Sequence, residues 1–227
     1  MFIDTTSKKL LVFICLAFTS GQVAGENPKL WKWTKHANHL DSIVKLRVDD
    51  GQATGVVVQP SDRSELQKQE CLVLTAYHVV QTAKTKDSIQ VEFPSGEKTR
   101  KCKVVAFDLE HDIALLKSWA PKKVVAVKPA VEVPKYKTFL EFAGLGGDRS
   151  LKEIRHFSSR ATQPTNGKFI YADETLLPGD SGGPVFNRRH QLVGIISGGW
   201  FWWDAGIKTG DGIPLLSTWP ALSLIHI

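Results

Sequence analysis

From residue 42 onward, short apolar runs rich in β-branched residues are separated by polar or Gly/Pro-containing turns. Six come in close succession: SIVKLRV at 42–48, ATGVVVQ at 53–59, CLVLTAY at 71–77, SIQVEF at 88–93, KCKVVAF at 101–107 and DIALLK at 112–117. Runs of this length and composition form strands, and six of them over about 75 residues predict one small closed barrel. The stretch from Ala120 to Val133, rich in Lys, Val and Pro, has no helical periodicity and reads as a connection. A second strand-rich block follows: TFLEFAG at 138–144, EIRHFSSRA at 153–161, KFIYADE at 168–174, GPVFN at 183–187, LVGIISGG at 192–199 and a last run near GIPLL at 212–216. The pattern predicts an all-β chain of two six-stranded antiparallel β-barrels, over 26–120 and 121–221.

The two ends read differently. Lys8 and Lys9 precede an apolar run from Leu10 to Phe18, followed by small and polar residues up to Gly25. This is the pattern of a secretory signal peptide over 1–25, and the run is about half the ~20 residues that a membrane span requires. Cys15 is expected to leave with it. At the other end, residues 222–227 read LSLIHI, the in-frame translation of a common transposase sequencing adapter, and are expected to be a non-biological tail. Ser217 or Thr218 could cap a helix begun by Pro220, so a short C-terminal helix, cut off by that tail, is expected there.

Composition narrows the class. The 227 residues are 42% hydrophobic and 23% charged, as in an ordinary globular protein. The net charge of +6 falls to +5 without the leader, and no dense basic block with interleaved aromatics points to nucleic acid. Export leaves Cys71 and Cys102 as an even pair, a possible disulfide, with two buried free thiols as the other reading. His36 and His39 lack a nearby Cys or carboxylate of ligand spacing, so no metal or other cofactor is expected. His111, His156 and His190 read as ordinary surface histidines.

The densest chemistry lies in GDSGGPV at 179–185. Its glycines permit a tight, partly left-handed backbone that turns consecutive N–H groups toward one point. In an acyl-transfer enzyme the N–H groups of Gly179 and Ser181 would stabilise the oxyanion there, while the Ser181 hydroxyl attacks the carbonyl carbon. A serine hydroxyl needs a general base, and TAYHVV offers His78 at the end of a predicted strand. The imidazole in turn needs a carboxylate to fix its tautomer; Asp112 opens the strand DIALLK, and Asp108 is the competitor.

TAYHVV, HDIALLK and GDSGGPV together resemble the three signature segments of chymotrypsin-like serine peptidases, in that family's His, Asp, Ser order. The resemblance spans nearly the whole chain after the leader. It implies the double-barrel peptidase fold, with His78, Asp112 and Ser181 as the catalytic triad and a protein or peptide as substrate. ATGVVV followed by CLVLTAYHVV is more similar to bacterial and HtrA-type members, whereas Asp180 before the serine resembles the trypsin side. Digestive members pair that Asp with a new N-terminal ammonium released by cleavage. No Ile-Val-Gly-Gly-like start follows Gly25, so Asp180 is expected to bond within its loop or to a basic side chain.

The family alignment also implies substrate-binding roles for Thr175 and for the segment Ser197, Gly198, Gly199, which would pair with the substrate as an added strand. Thr175 is uncharged and Ile196 stands where glutamate-specific relatives carry His, so a small-to-medium apolar side chain is the expected preference. Trp200, Phe201, Trp202 and Trp203 follow, as core over the barrel end or as lining of an extended groove. The sequence thus points to a serine endopeptidase, secreted or periplasmic, with no membrane anchor once the leader is removed. The alternatives are an HtrA-type protease and chaperone with a PDZ domain beyond residue 221, or a silent binding protein on the same scaffold.

Overall fold

The computed structural model describes residues 38–59, 69–81, 83–85, 88–96, 99–121, 124–130, 134–135, 137–165, 169–172, 176–201 and 218–224. A short 3-10 turn, Asn38–Ser42, leads into β1 (Ile43–Val48), β2 (Gly51–Val58) and β3 (Glu70–Ala76). A single helical turn, α1 (Tyr77–Val80), precedes β4 (Ile89–Glu92), β5 (Arg100–Asp108) and β6 (Ile113–Trp119). These strands correspond to the six runs read from the sequence. They close an antiparallel barrel in the order β1-β2-β3-β6-β5-β4, with β1 pairing both β2 and β4.

Along β2 and the end of β3 the apolar run is continuous because both faces are buried, whereas β4, β5 and β6 alternate between buried and more exposed positions. On β2, Val57 packs inside the barrel with Leu46, Val73, Val91 and Leu116. Its neighbours Val56 and Val58 point the other way, onto Phe186, Leu192 and Ile195 of the second half. Each such fully buried aliphatic side chain contributes roughly 1.5–3 kcal/mol. The second layer on the outer face of β2 and β3 is therefore what joins the two halves.

The second half contains β7 (Phe139–Gly144), β8 (Arg155–Thr165), β9 (Phe169–Ala172), β10 (Pro184–Phe186), β11 (Leu192–Phe201) and β12 (Thr218–Leu224). They pair antiparallel as β10-β11-β12-β9-β8-β7, and β10 also pairs β7. Leu140, Phe142, Val185, Val193 and Ile196 fill the space between them. The connecting stretch is pinned to both halves by bridges of Val127 with Val58 and Pro129 with Leu192.

Two sequence expectations change. The short C-terminal helix is replaced by β12, whose residues pair with β11 on one side and β9 on the other. Pairing on both edges satisfies backbone groups that a lone turn of helix would leave open. The possible disulfide also fails, because Cys71 and Cys102 are buried free thiols. They sit on β3 and β5, each opposite Ser118 of the intervening β6. Two strand spacings put their backbones roughly 9–10 Å apart, beyond the ~7 Å limit for a bridge. The run at 212–216 lies outside the described residues. No described helix is long and apolar enough to cross a membrane.

Candidate active site

His78 sits in α1, immediately after β3, and Asp112 sits at the turn into β6, the neighbouring strand. The Asp112 carboxylate grips His78 at two points. Oδ1 accepts the His78 backbone N–H at 2.8 Å and Oδ2 lies 2.7 Å from Nδ1 of the ring. One oxygen thus caps the helical turn, which has no other side-chain cap, and the other fixes the imidazole. Asp112 holds this position with a left-handed backbone, φ 53°, a conformation that Asp tolerates better than most residues. The Ser197 hydroxyl of β11 donates a third hydrogen bond, to Oδ2.

Burial alone would raise the Asp112 pKa. The hydrogen bonds from the His78 ring, the Ser197 hydroxyl and the His78 N–H outweigh it and hold the carboxyl below its ordinary range. A carboxylate that stays ionised beside Nδ1 keeps the proton on that nitrogen and leaves Nε2 free to accept one. The competitor, Asp108, is engaged elsewhere: it caps the N–H groups of Glu110 and His111 and binds the His111 ring at 2.7 Å. That makes it a turn residue, and His111 its partner.

The segment 179–183 folds as a tight loop with Gly179 at φ 99° and Gly182 at φ 80°. A Cβ on Gly182 would lie 2.1 Å from Thr75 Oγ1 and 2.2 Å from the Thr54 carbonyl oxygen, so only glycine fits. The loop is tied to both halves. Thr54 N–H donates to the Ser181 carbonyl at 2.9 Å, and Gly182 N–H to the Ile196 carbonyl at 2.6 Å. Ser181 is thereby held between β2 and β11: its chain neighbour Gly182 bonds Ile196, and the residue after Ile196, Ser197, bonds Asp112. The N–H groups of Asp180, Gly182 and Gly183 donate within the protein, whereas those of Gly179 and Ser181 donate to none of the described residues.

Asp180 is fully buried beneath this loop. Its Oδ1 accepts Gly146 N–H at 2.8 Å, and its Oδ2 accepts Leu177 N–H at 2.9 Å and Arg155 Nη1 at 2.6 Å. The basic partner expected from the sequence is therefore Arg155, whose guanidinium also lies over the Phe157 ring at 4.3 Å.

Gly198 and Gly199 pair with Ala221 and Pro220 of β12, while the pairing of β10 with β11 ends at Ile195. Among the described residues no strand occupies the other edge of 197–199. Thr175, Trp202, Trp203 and His36 lie outside the described residues; Trp200 and Phe201 extend β11. The link from Ser197 to Asp112 was not legible, since nothing in the sequence brings residues so far apart together.

A family model for the trypsin-like peptidase domain matches residues 53–195. The chain belongs to that family. The domain is 31% identical over 133 residues to Protease Do-like 1, chloroplastic, of Arabidopsis thaliana; the match covers 54% of this chain and 29% of that protein. Its fold is similar to that of a serine endoprotease from Yersinia pestis, with TM-score 0.58 and 17% identity, over 72% of this chain and 56% of that one. It is also similar to Rv3671c from M. tuberculosis H37Rv in an inactive form, with TM-score 0.59 and 21% identity, over 89% and 90% of the two chains. The trypsin-like domain is thus a serine peptidase domain, and the Do-like relative is more than three times the length matched.

Proposed function

We propose that the domain is an endopeptidase that cleaves peptide bonds through an acyl-enzyme, with Ser181 as nucleophile, His78 as general base and acid, and Asp112 as the carboxylate that orients the base. The two-point hold of Asp112 on His78 carries this reading, because it fixes the ring tautomer that the chemistry needs. The N–H groups of Gly179 and Ser181 form the oxyanion hole, held in place from below by the pair of Asp180 with Arg155. A substrate strand adds to the open edge of Ser197, Gly198 and Gly199, with Thr175 at the primary pocket and an apolar side chain preferred there. The β7–β12 set is the second barrel of the double-barrel fold, and the domain works outside the cytoplasm, secreted or periplasmic. Asp180 has an internal cation, so no newly cut N-terminus is needed to order the loop.

Hydrolysis of fluorogenic peptides carrying different apolar residues tests this. The native chain cleaves them, and Ser181→Ala lowers kcat by about 10⁶. Undiminished cleavage by Ser181→Ala would contradict it. The Arabidopsis relative favours a second reading, an HtrA-type protease domain acting within a longer protein. Sequencing the gene past the codon for Ala221 separates the two.

A further inference from the structure

A group of ionisable side chains lies away from the residues described above, where the turn before β1 meets β7 and the turn between β10 and β11. Glu141 of β7 is fully buried. Its Oε1 faces two imidazoles, His39 Nε2 at 2.8 Å and His156 Nε2. Its Oε2 and the Nδ1 of His39 are buried with no hydrogen-bond partner among the described residues. An unsatisfied buried polar atom costs about 1–3 kcal/mol, and the open carboxylate oxygen Oε2 of Glu141 is a ready ligand atom, whereas Nδ1 of His39 points away from Glu141 because Nε2 of the same ring faces it. His190 completes the group, stacked on His39 with ring centroids 3.9 Å apart. It holds a left-handed backbone, φ 56°, of the kind that costs roughly 1–3 kcal/mol and concentrates at functional positions.

We propose that His39, Glu141 and His190 bind a transition-metal dication of the Zn²⁺ type, with His156 orienting the Glu141 carboxylate from behind. One ligand atom from each of the three lies within 4.8 Å of the others. Two imidazole nitrogens and a carboxylate oxygen are a zinc ligand set, whereas Ca²⁺ and Mg²⁺ take oxygen alone. Bonds of about 2.1 Å to a tetrahedral ion bring ligand atoms to roughly 3.4 Å apart, so the group must close slightly. Ring-nitrogen lone pairs lie in the ring plane, so His190 tilts out of its 16° stack on His39 to reach the ion. His190 can do so because it stands on a surface turn. It also lines an open pocket with His39, Lys128, Arg189 and Gln191, which supplies a route from solvent and a fourth coordination position. The ion would tie together the turn before β1, β7 and the β10–β11 turn, a staple between the two halves. The proposal is independent of the peptidase reading.

The test is titration of the purified, metal-stripped chain with ZnCl₂, by calorimetry and thermal melting, with Co²⁺ as the spectroscopic probe. One equivalent of Zn²⁺ binds, the melting temperature rises with its concentration, and Co²⁺ gives the visible bands of a four-coordinate nitrogen and oxygen site. His190→Asn keeps the left-handed turn, which Asn tolerates, and weakens Zn²⁺ binding at least about tenfold with loss of the Co²⁺ bands. Its far-ultraviolet circular dichroism stays native, so the loss is not one of folding. No binding to the native chain, unchanged binding by His190→Asn, or a thiolate charge-transfer band showing that Cys71 or Cys102 holds the ion would each overturn the proposal.

Discussion

At the scale of single residues, Asp112 decides how the site is organised. One carboxylate caps a helical turn, fixes an imidazole and accepts the Ser197 hydroxyl. Asp112→Asn should lower kcat on the order of 10⁴-fold, because the amide favours the wrong ring tautomer. Asp108→Asn, which disturbs only a turn and His111, should leave kcat nearly unchanged; steady-state kinetics of the two variants would reject the assignment if the order were reversed. The same carboxyl carries a pH signature. Its folded pKa lies below the unfolded value, so its contribution to stability is full above about pH 4 and is lost as pH falls through the folded pKa. The stability deficit of Asp112→Asn, measured by urea unfolding, should therefore be largest near neutrality and shrink in acid. The three signature segments were legible in the sequence because each places its candidate residue, His78, Asp112 or Ser181, at a strand end or glycine loop. The partners of Glu141 were not: TFLEFAG reads simply as a strand and His156 as an ordinary surface histidine, and only the folded chain brings His39 across 102 positions to Glu141.

At the scale of elements, the loop 179–183 depends on a buried ion pair. Arg155→Ala would leave Asp180 charged and unpaired beneath the loop, a change that costs about 3–5 kcal/mol. Denaturant unfolding should show that loss, together with a fall in kcat as the N–H groups of Gly179 and Ser181 lose their fixed direction; a neutral variant would mean that Asp180 is held by the Gly146 and Leu177 N–H groups alone. Sequence left Asp180 either bonding within its loop or pairing with a basic side chain and could not name the cation, since Arg155 lies on a strand 25 positions earlier. The six strands of the first barrel were legible from their β-branched runs. β12 was not, because Ser217, Thr218 and Pro220 carry the local pattern of a helix start and tertiary pairing with β9 and β11 overrode it. The same strand geometry keeps Cys71 and Cys102 apart. Burial pushes both thiols up to about 12, so neither should react with iodoacetamide in the native chain at pH 8, and both should react in denaturant. Rapid native alkylation, or a mass that changes on reduction, would contradict this.

At the scale of the whole molecule, the site is a product of the seam between the halves. His78 and Asp112 come from the first barrel, Ser181 and Ser197 from the second half, and Val56, Val58, Phe186, Leu192 and Ile195 pack between them. Hydrogen bonds from Thr54 to Ser181 and Gly179 cross the same seam. The proposed triad of Ser181, His78 and Asp112 would be assembled only when both halves dock, so its reactivity would report on the complete fold. The most direct measurement is mass-spectrometric mapping of a fluorophosphonate adduct on the folded chain, with Ser181→Ala as control. A single adduct on Ser181, absent in the variant, is the expected result. A folded chain that takes no adduct, or takes it at another residue, would contradict the assignment of Ser181, His78 and Asp112 as an assembled catalytic triad.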